Sequence, residues 1–346
     1  MKKYINIFIF ILILFIINNM FPILSHAIEE NNITSSVGYY SSLNAAIEDA
    51  NNSSTQNANS NERDGKVSLA INNNKYTITL LKNIEEENEL IINNDIEIKL
   101  NGKRLNIIAK NSKTVQEEIK NGILIAKNKT LNIDGTVNGS EIFHEEAFKE
   151  YFYMFNVEGN IKINGGKYTN TSNESGAWFI NVTDTYAHNI EVENIELNLN
   201  ALFSTVAIKT SINVNNSRLI FKNNKCKIRN NEKVAAVIYG VSNSIIENNE
   251  INISSENGNV RIVYAFEFSD CKIINNEIES MSKNGISYGI TISKGCLGLL
   301  NDNIITSVSE KNWSYGITSG GLSRVENSEF KVICKEINNK GSRRNY

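Results

Sequence analysis

A four-residue phrase recurs through the last third of the chain and constrains its fold more than anything else in the sequence. Asn248-Asn249-Glu250-Ile251 returns as Asn275-Asn276-Glu277-Ile278, then Asn301-Asp302-Asn303-Ile304, then Asn327-Ser328-Glu329-Phe330. The first residues of these phrases are 27, 26 and 26 apart. Self-similarity at such a period marks a solenoid in which each repeat is one coil. Upstream, the same position falls on Asn216, Asn194, Gly165, Asp134 and Gly102, at spacings from 22 to 32. About nine turns are implied, averaging about 28 residues each.

The residue types in this column carry the physics. Asn, Asp and Gly enter the left-handed backbone region at little cost, and a coil of parallel strands needs one such bend per turn. Asn, Ile and Lys are over-used along the whole chain, as an AT-rich genome would produce. Codon bias accounts for Asn, but not for Gly and Asp replacing it in the same register. Stacked Asn side chains can also bond to one another up the coil.

A strand accompanies each bend. Ile286-Ser287-Tyr288-Gly289-Ile290-Thr291-Ile292 alternates apolar and small polar residues, the period of a half-buried strand. Comparable segments run from Ile262 to Phe268, Trp313 to Thr318 and Val237 to Val241. Aligned by eye, Tyr153, Trp178, Tyr239, Tyr264, Tyr288 and Tyr315 form an aromatic column. Tyr288 is in phase with Ile286, Ile290 and Ile292, so the alternation points this column inward as a core stack and not outward as a sugar-binding platform. The outward files are then Ile238, Val263, Ser287 and Ser314; Gly240, Ala265, Gly289 and Gly316; and Ser242, Glu267, Thr291 and Thr318. Glu267 is the one charged residue among them and the one outward ligand-binding candidate.

Strand and bend at this period, without intervening helices, exclude a doubly wound fold, an ordinary barrel and helical solenoids. The expected fold is all-β, a right-handed parallel β-helix over residues 63–337. One coil cannot bury its own inner face, so the ends need covers. Ser42 to Ala50 reads as a short amphipathic helix with a serine cap, closing the N-terminal mouth. With the Asn/Ser-rich stretch from Asn51 to Asn61, which reads as a flexible loop, it makes up residues 28–62. Residues 338–346 form a polar tail.

The first 27 residues have the pattern of an export signal. Lys2 and Lys3 precede an unbroken apolar run from Ile7 to Ile17, and Ser25-His26-Ala27 supplies the small-residue cleavage site. That run is shorter than the roughly 20 apolar residues of a membrane span, and no later stretch is long enough. Removing the two lysines moves the formal net charge from −3 to −5. So mild a charge does not point to nucleic acid or an anionic membrane. The chain is expected to be secreted or displayed at the cell surface.

Val37 to Ile47, followed by Tyr76 to Ile84 and Ile96-Glu97-Ile98-Lys99-Leu100-Asn101-Gly102-Lys103, resembles the opening module of secreted β-helix surface proteins of low-GC Gram-positive bacteria. These share the pectate-lyase-like superfold. The resemblance covers about residues 37 to 105 and implies a secreted or surface role. It carries over no catalytic residue, because that superfold hosts lyases, hydrolases and adhesins alike.

No constellation for chemistry stands out. Glu250, Glu277 and Glu329 follow the bend column, and the first two should sit one rung apart, as a cation-binding pair or a tolerated repulsion in water. His144 lies in Glu141 to Phe152, read as a helical insertion, and His188 is equally isolated. Neither has the spaced partners of a metal site, and no cofactor motif is present. Cys271 and Cys296 are 25 apart, so they are either bridged on adjacent coils or buried as thiols. Cys226 and Cys334 lie several coils apart. The resulting expectation is a non-enzymatic, adhesin-like rod contacting glycans or surface proteins. The alternative is a polysaccharide lyase or hydrolase with its site in Lys110 to Asn121 or Glu141 to Tyr151.

Overall fold

The computed structural model describes residues 35–335, apart from 111–118, 146–150, 184–187, 211–216, 240–242, 266–269, 293–296 and 321. The segments expected to be a leader and a polar tail lie outside the described residues.

The chain winds into a parallel β-solenoid with three sheets, of twelve, ten and nine strands. It visits them in rotation. Asn160–Gly165 lies in the first sheet, Lys167–Ser172 in the second and Ala177–Val182 in the third. The chain then returns to the first at Asn189–Glu193. Each strand pairs in parallel with its counterparts one coil before and after, as in the run Ile161, Ile190, Leu219. Alternation puts Ile, Leu, Val and Phe inside, in one continuous core. Each such side chain contributes about 1.5–3 kcal/mol when fully buried.

The N-terminal cover forms as expected, with more order than the sequence promised. Helix α1 spans Leu43–Asn51, and the Ser42 hydroxyl accepts from the Ala45 amide. Leu43, Ala46, Ile47 and Ala50 close the mouth of the coil. A second cap comes from the first coil. Glu86, 3% exposed, accepts at Oε1 from the Leu43 amide at 2.5 Å. Burial pushes its pKa up. Asn51 covers an open strand edge, donating to the Ile91 carbonyl and accepting from the Asn93 amide. Beside the helix, Ser35–Tyr40 and Val67–Asn72 extend the first sheet as antiparallel strands.

The stretch after the helix is a loop of turns anchored on Asp49. Asp49 is fully buried and accepts from the Tyr40 hydroxyl at 2.9 Å, from the Asn57 amide at 2.8 Å and side chain at 2.7 Å, and from Ser54 at 3.2 Å. A buried carboxylate that draws four donors holds the segment down.

The corner from the first sheet to the second contains the bend column, in a corrected register. Gly165, Asn194, Asn223, Asn248, Asn275, Asp302 and Asn327 share it, all with φ between 46° and 74°. Asn301 is the last residue of its strand, and Asp302 makes the bend, so the last corners are 27, 27 and 25 apart. Asn216 lies outside the described residues; Asn223 holds that corner. Asp134 sits one place early, inside a strand that continues to Gly135 and then into a longer corner where Gly139 takes φ 88°. Gly102, at φ 70°, bends the first coils together with Asn101.

Two amide ladders climb this corner. Outside, Asn194, Asn223, Asn248 and Asn275 each donate to the Asn one coil before, beginning at Asn164, over 2.8 to 3.2 Å. Inside, Asn224, Asn249, Asn276 and Asn303 are at most 2% exposed. Asn249 donates to Asn276 and Asn276 to Asn303, both at 2.9 Å. Each Oδ1 also takes the backbone amide one coil before it, at 2.9 to 3.1 Å.

The second corner uses a different device. Ser255, Ser282 and Ser309 turn their hydroxyls to the amide three residues on, at 2.8 to 3.0 Å. Gly258 and Gly285 are required there, because a Cβ would meet the Lys233 carbonyl oxygen at 1.9 Å or that of Gly258 at 2.3 Å.

The third sheet departs from simple alternation, which overturns the inward reading of Trp178, Tyr239, Tyr288 and Tyr315; Tyr153 stays buried, and the side chain of Tyr264 lies outside the described residues. In five of its strands two consecutive residues enter the core: Met154 and Phe155, Phe179 and Ile180, Ala207 and Ile208, Val237 and Ile238, Ile262 and Val263. The ladder skips the first of each pair, and the phase slips by one, as at a β-bulge. Tyr288 precedes the slip and Ile290 follows it, so sharing odd–even phase does not put them on the same side. Tyr288 is half-buried on the outer face. Tyr153, Trp178, Tyr288 and Tyr315 belong to one file, in order with Val206, Ala236 and Arg261. Tyr239 and Tyr264 belong to the next file, three residues on, with Thr291 and Thr318.

Candidate binding surface on the third sheet

The phase slip turns the first of the files expected outside inward but leaves the third outside. Ile238 and Val263 are core residues. Ser287 and Ser314 point inward with Ser280 and Ser307. Their four hydroxyls form a buried chain: Ser280 to Ser287 at 3.0 Å, Ser287 to Ser307 at 2.8 Å and Ser314 to Ser307 at 2.9 Å. Gly289 and Gly316 are buried, and Thr291 and Thr318 lie outside, bonded to each other at 3.0 Å. Gly240, Ser242 and Glu267 fall outside the described residues, as does Cys296. Cys271 is buried with Ser244 and Gly298 as its cross-strand neighbours, and Cys226 is buried between Leu197 and Ile251.

The outer file of the third sheet gathers the rings. Tyr153 and Trp178 stack at 4.8 Å between centroids, tilted by 21°, and Tyr151 meets Trp178 edge-on at 6.1 Å. Burial leaves Tyr153 only 7% exposed and pushes its hydroxyl pKa up to about 12. The Lys209 ammonium lies 4.9 Å from the Trp178 centroid, and burial lowers its pKa. Farther along, the Arg261 guanidinium sits 5.2 Å from the Tyr288 ring. Tyr288 and Tyr315 stack at 5.3 Å, within 10° of parallel, and both are half-buried. Trp313, 44% exposed, stands two residues before Tyr315. Four rungs of about 4.8 Å separate Trp178 from Tyr288, so the two ring groups are about 19 Å apart along the axis.

This surface has the chemistry of a binding platform. Flat rings beside a guanidinium and hydroxyls suit apolar ring faces and polar edges together. Among the described residues of the two files, the charged side chains are Lys209 and Arg261.

The acidic candidates lie on the second sheet. Its outer file reads Arg104, Glu141, Lys167, Glu196, Lys225, Glu250, Glu277, Ile304 and Glu329. Glu250 and Glu277 are rung neighbours, and Glu250 bonds Lys225 at 2.9 Å. Glu329 is separated from Glu277 by Ile304. Glu141 sits between Arg104 and Lys167, at 3.5 and 3.7 Å.

The segment read as a helical insertion starts instead as the strand Glu141–Glu145, paired on both sides. Within it His144 is fully buried, stacks on Phe152 at 3.5 Å and donates from Nδ1 to the Ile107 carbonyl at 2.7 Å. Burial is the main cause of its lowered pKa, about 4. His188 is held separately, with Nδ1 2.6 Å from the Gly159 carbonyl. Comparison with family models, with curated proteins and with solved structures finds no match for this chain.

Proposed function

We propose that this chain is a secreted, non-catalytic β-helix that holds saccharide chains along the outer face of its third sheet. The parallel, half-buried rings of Tyr288 and Tyr315, with Arg261 packed on the stack, carry the reading. Sugar rings lay their C–H faces on such platforms while guanidinium and hydroxyl groups take the edges. The leader-like first 27 residues and the coil support a place among the secreted surface β-helices of the pectate-lyase-like superfold that the opening segment resembles. A glycan array probed with the mature chain tests this, followed by titration of the best oligosaccharide into Tyr315→Ala. Saturable binding that weakens at least about tenfold in the variant is expected. Absence of binding across the array, or release of reducing or unsaturated ends from the bound glycan, overturns it.

A further inference from the structure

The second corner carries a groove of about 530 Å³ on a different side of the coil from the ring file. Its floor is the end of the second sheet's strands, where Ala201, Asn230 and Ser255 follow one another in register. Asn230 is 7% exposed. Its Nδ2 donates to the Phe203 carbonyl at 2.7 Å, which fixes the orientation of the carboxamide. Its Oδ1 is then a buried acceptor with no donor. Leaving such an acceptor unmet is costly, and the register neighbours, Ala and Ser, show that the coil does not need Asn at this place.

Beside it, Arg229 lines the groove between Asn200 and Ser254 and, among the described residues, makes no ion pair or side-chain hydrogen bond. The other charges at the groove are cancelled: Glu256 is paired with Lys283, and Glu310 bonds Lys335 at 3.1 Å. The groove therefore presents one uncompensated guanidinium, and one orphan acceptor lies buried in its wall.

We infer that this groove is a second binding site, for a small hydroxy acid such as a sugar acid. The ligand's carboxylate takes the Arg229 fork, and one of its hydroxyls donates to Asn230 Oδ1. This site shares no residue with the third-sheet platform. Calorimetric titration of the mature chain with D-gluconate tests it, with D-glucose and propionate as probes lacking the anion or the hydroxyls. One saturable gluconate site per chain is expected, weakened about tenfold in both Arg229→Gln and Asn230→Ser, with glucose and propionate binding at least about tenfold more weakly. Arg229 is exposed and Ser is a register neighbour of Asn230, so both variants should fold. The inference is overturned if gluconate shows no saturable binding, if propionate binds as well, or if neither variant weakens binding. Gluconate binding lost instead in Tyr315→Ala would place it on the third sheet and overturn it equally.

Discussion

The Asn249 side chain donates to Asn276 Oδ1 at 2.9 Å across one coil, and that same oxygen takes the Asn249 backbone amide at 3.0 Å. Asn276 also donates to the Ile246 and Ile274 carbonyls. One buried carboxamide thus satisfies backbone groups of two coils. Asn276→Ala should cost about 2–4 kcal/mol, because it strands several buried partners at once. Asn275→Gly, one residue earlier on the exposed ladder, should change stability by less than about 1 kcal/mol, since Gly takes a φ of 51° freely. Urea unfolding followed through the fluorescence of Trp178 and Trp313 together reads both costs. Equal effects of the two substitutions would refute the division between inner and outer ladders.

These ladders also mark how far the fold could be read from the residues. The Asn-Asn phrase gave the period and the bend, because only a few residue types tolerate a left-handed corner. It did not reveal that the second Asn turns inward, since both positions hold the same residue type. The aromatic file failed for another reason. Alternation assigns faces only while the pleat is unbroken, and a bulge repeated from coil to coil along the third sheet moves Ile290 to the opposite phase from Tyr288. Two adjacent core residues, as in Phe179-Ile180 or Ile262-Val263, were the available signal. The groove at the second corner depends on an orphan acceptor, which no sequence pattern encodes.

Asp49 gathers Tyr40, Ser54 and Asn57 around one buried carboxylate. Asp49→Ala leaves the Tyr40 hydroxyl and the Asn57 amide without their acceptor and should destabilise the N-terminal cover by about 3 kcal/mol. Segment 51–61 should then become the first site of limited proteolysis. Unchanged protease resistance there would show that the Asn/Ser-rich stretch is held by something else.

The two ring groups of the outer file differ in access, and binding should reflect it. Tyr153 is nearly buried, so Tyr153→Ala opens a cavity and should lower stability by about 2–4 kcal/mol. Tyr288→Ala removes a half-buried ring and should cost under about 1.5 kcal/mol while weakening saccharide binding about tenfold. Tyr288→Phe keeps the stack and should bind nearly as the parent does. A Tyr288→Phe variant as weak as Tyr288→Ala would mean that the hydroxyl, and not the ring face, makes the contact.

His144 gives the coil an acid limit. Burial favours its neutral form, and the folded-state pKa of about 4 lies below the ordinary 6.5. A depressed histidine pKa means that the folded state holds fewer protons than the unfolded chain between those values. The stability it contributes is therefore complete above about pH 6.5 and is lost as the pH falls toward 4, by about 3 kcal/mol in all. Glu86 acts in the opposite sense, because its raised pKa adds stability as its carboxylate protonates. His144→Asn keeps a donor for the Ile107 carbonyl and removes the titrating ring. Its stability should vary less than the parent's between pH 6.5 and 4, as measured by denaturant midpoints at half-unit steps. If the parent and the variant lose stability in parallel over that window, the acid sensitivity belongs to other groups, and the buried imidazole is not its source.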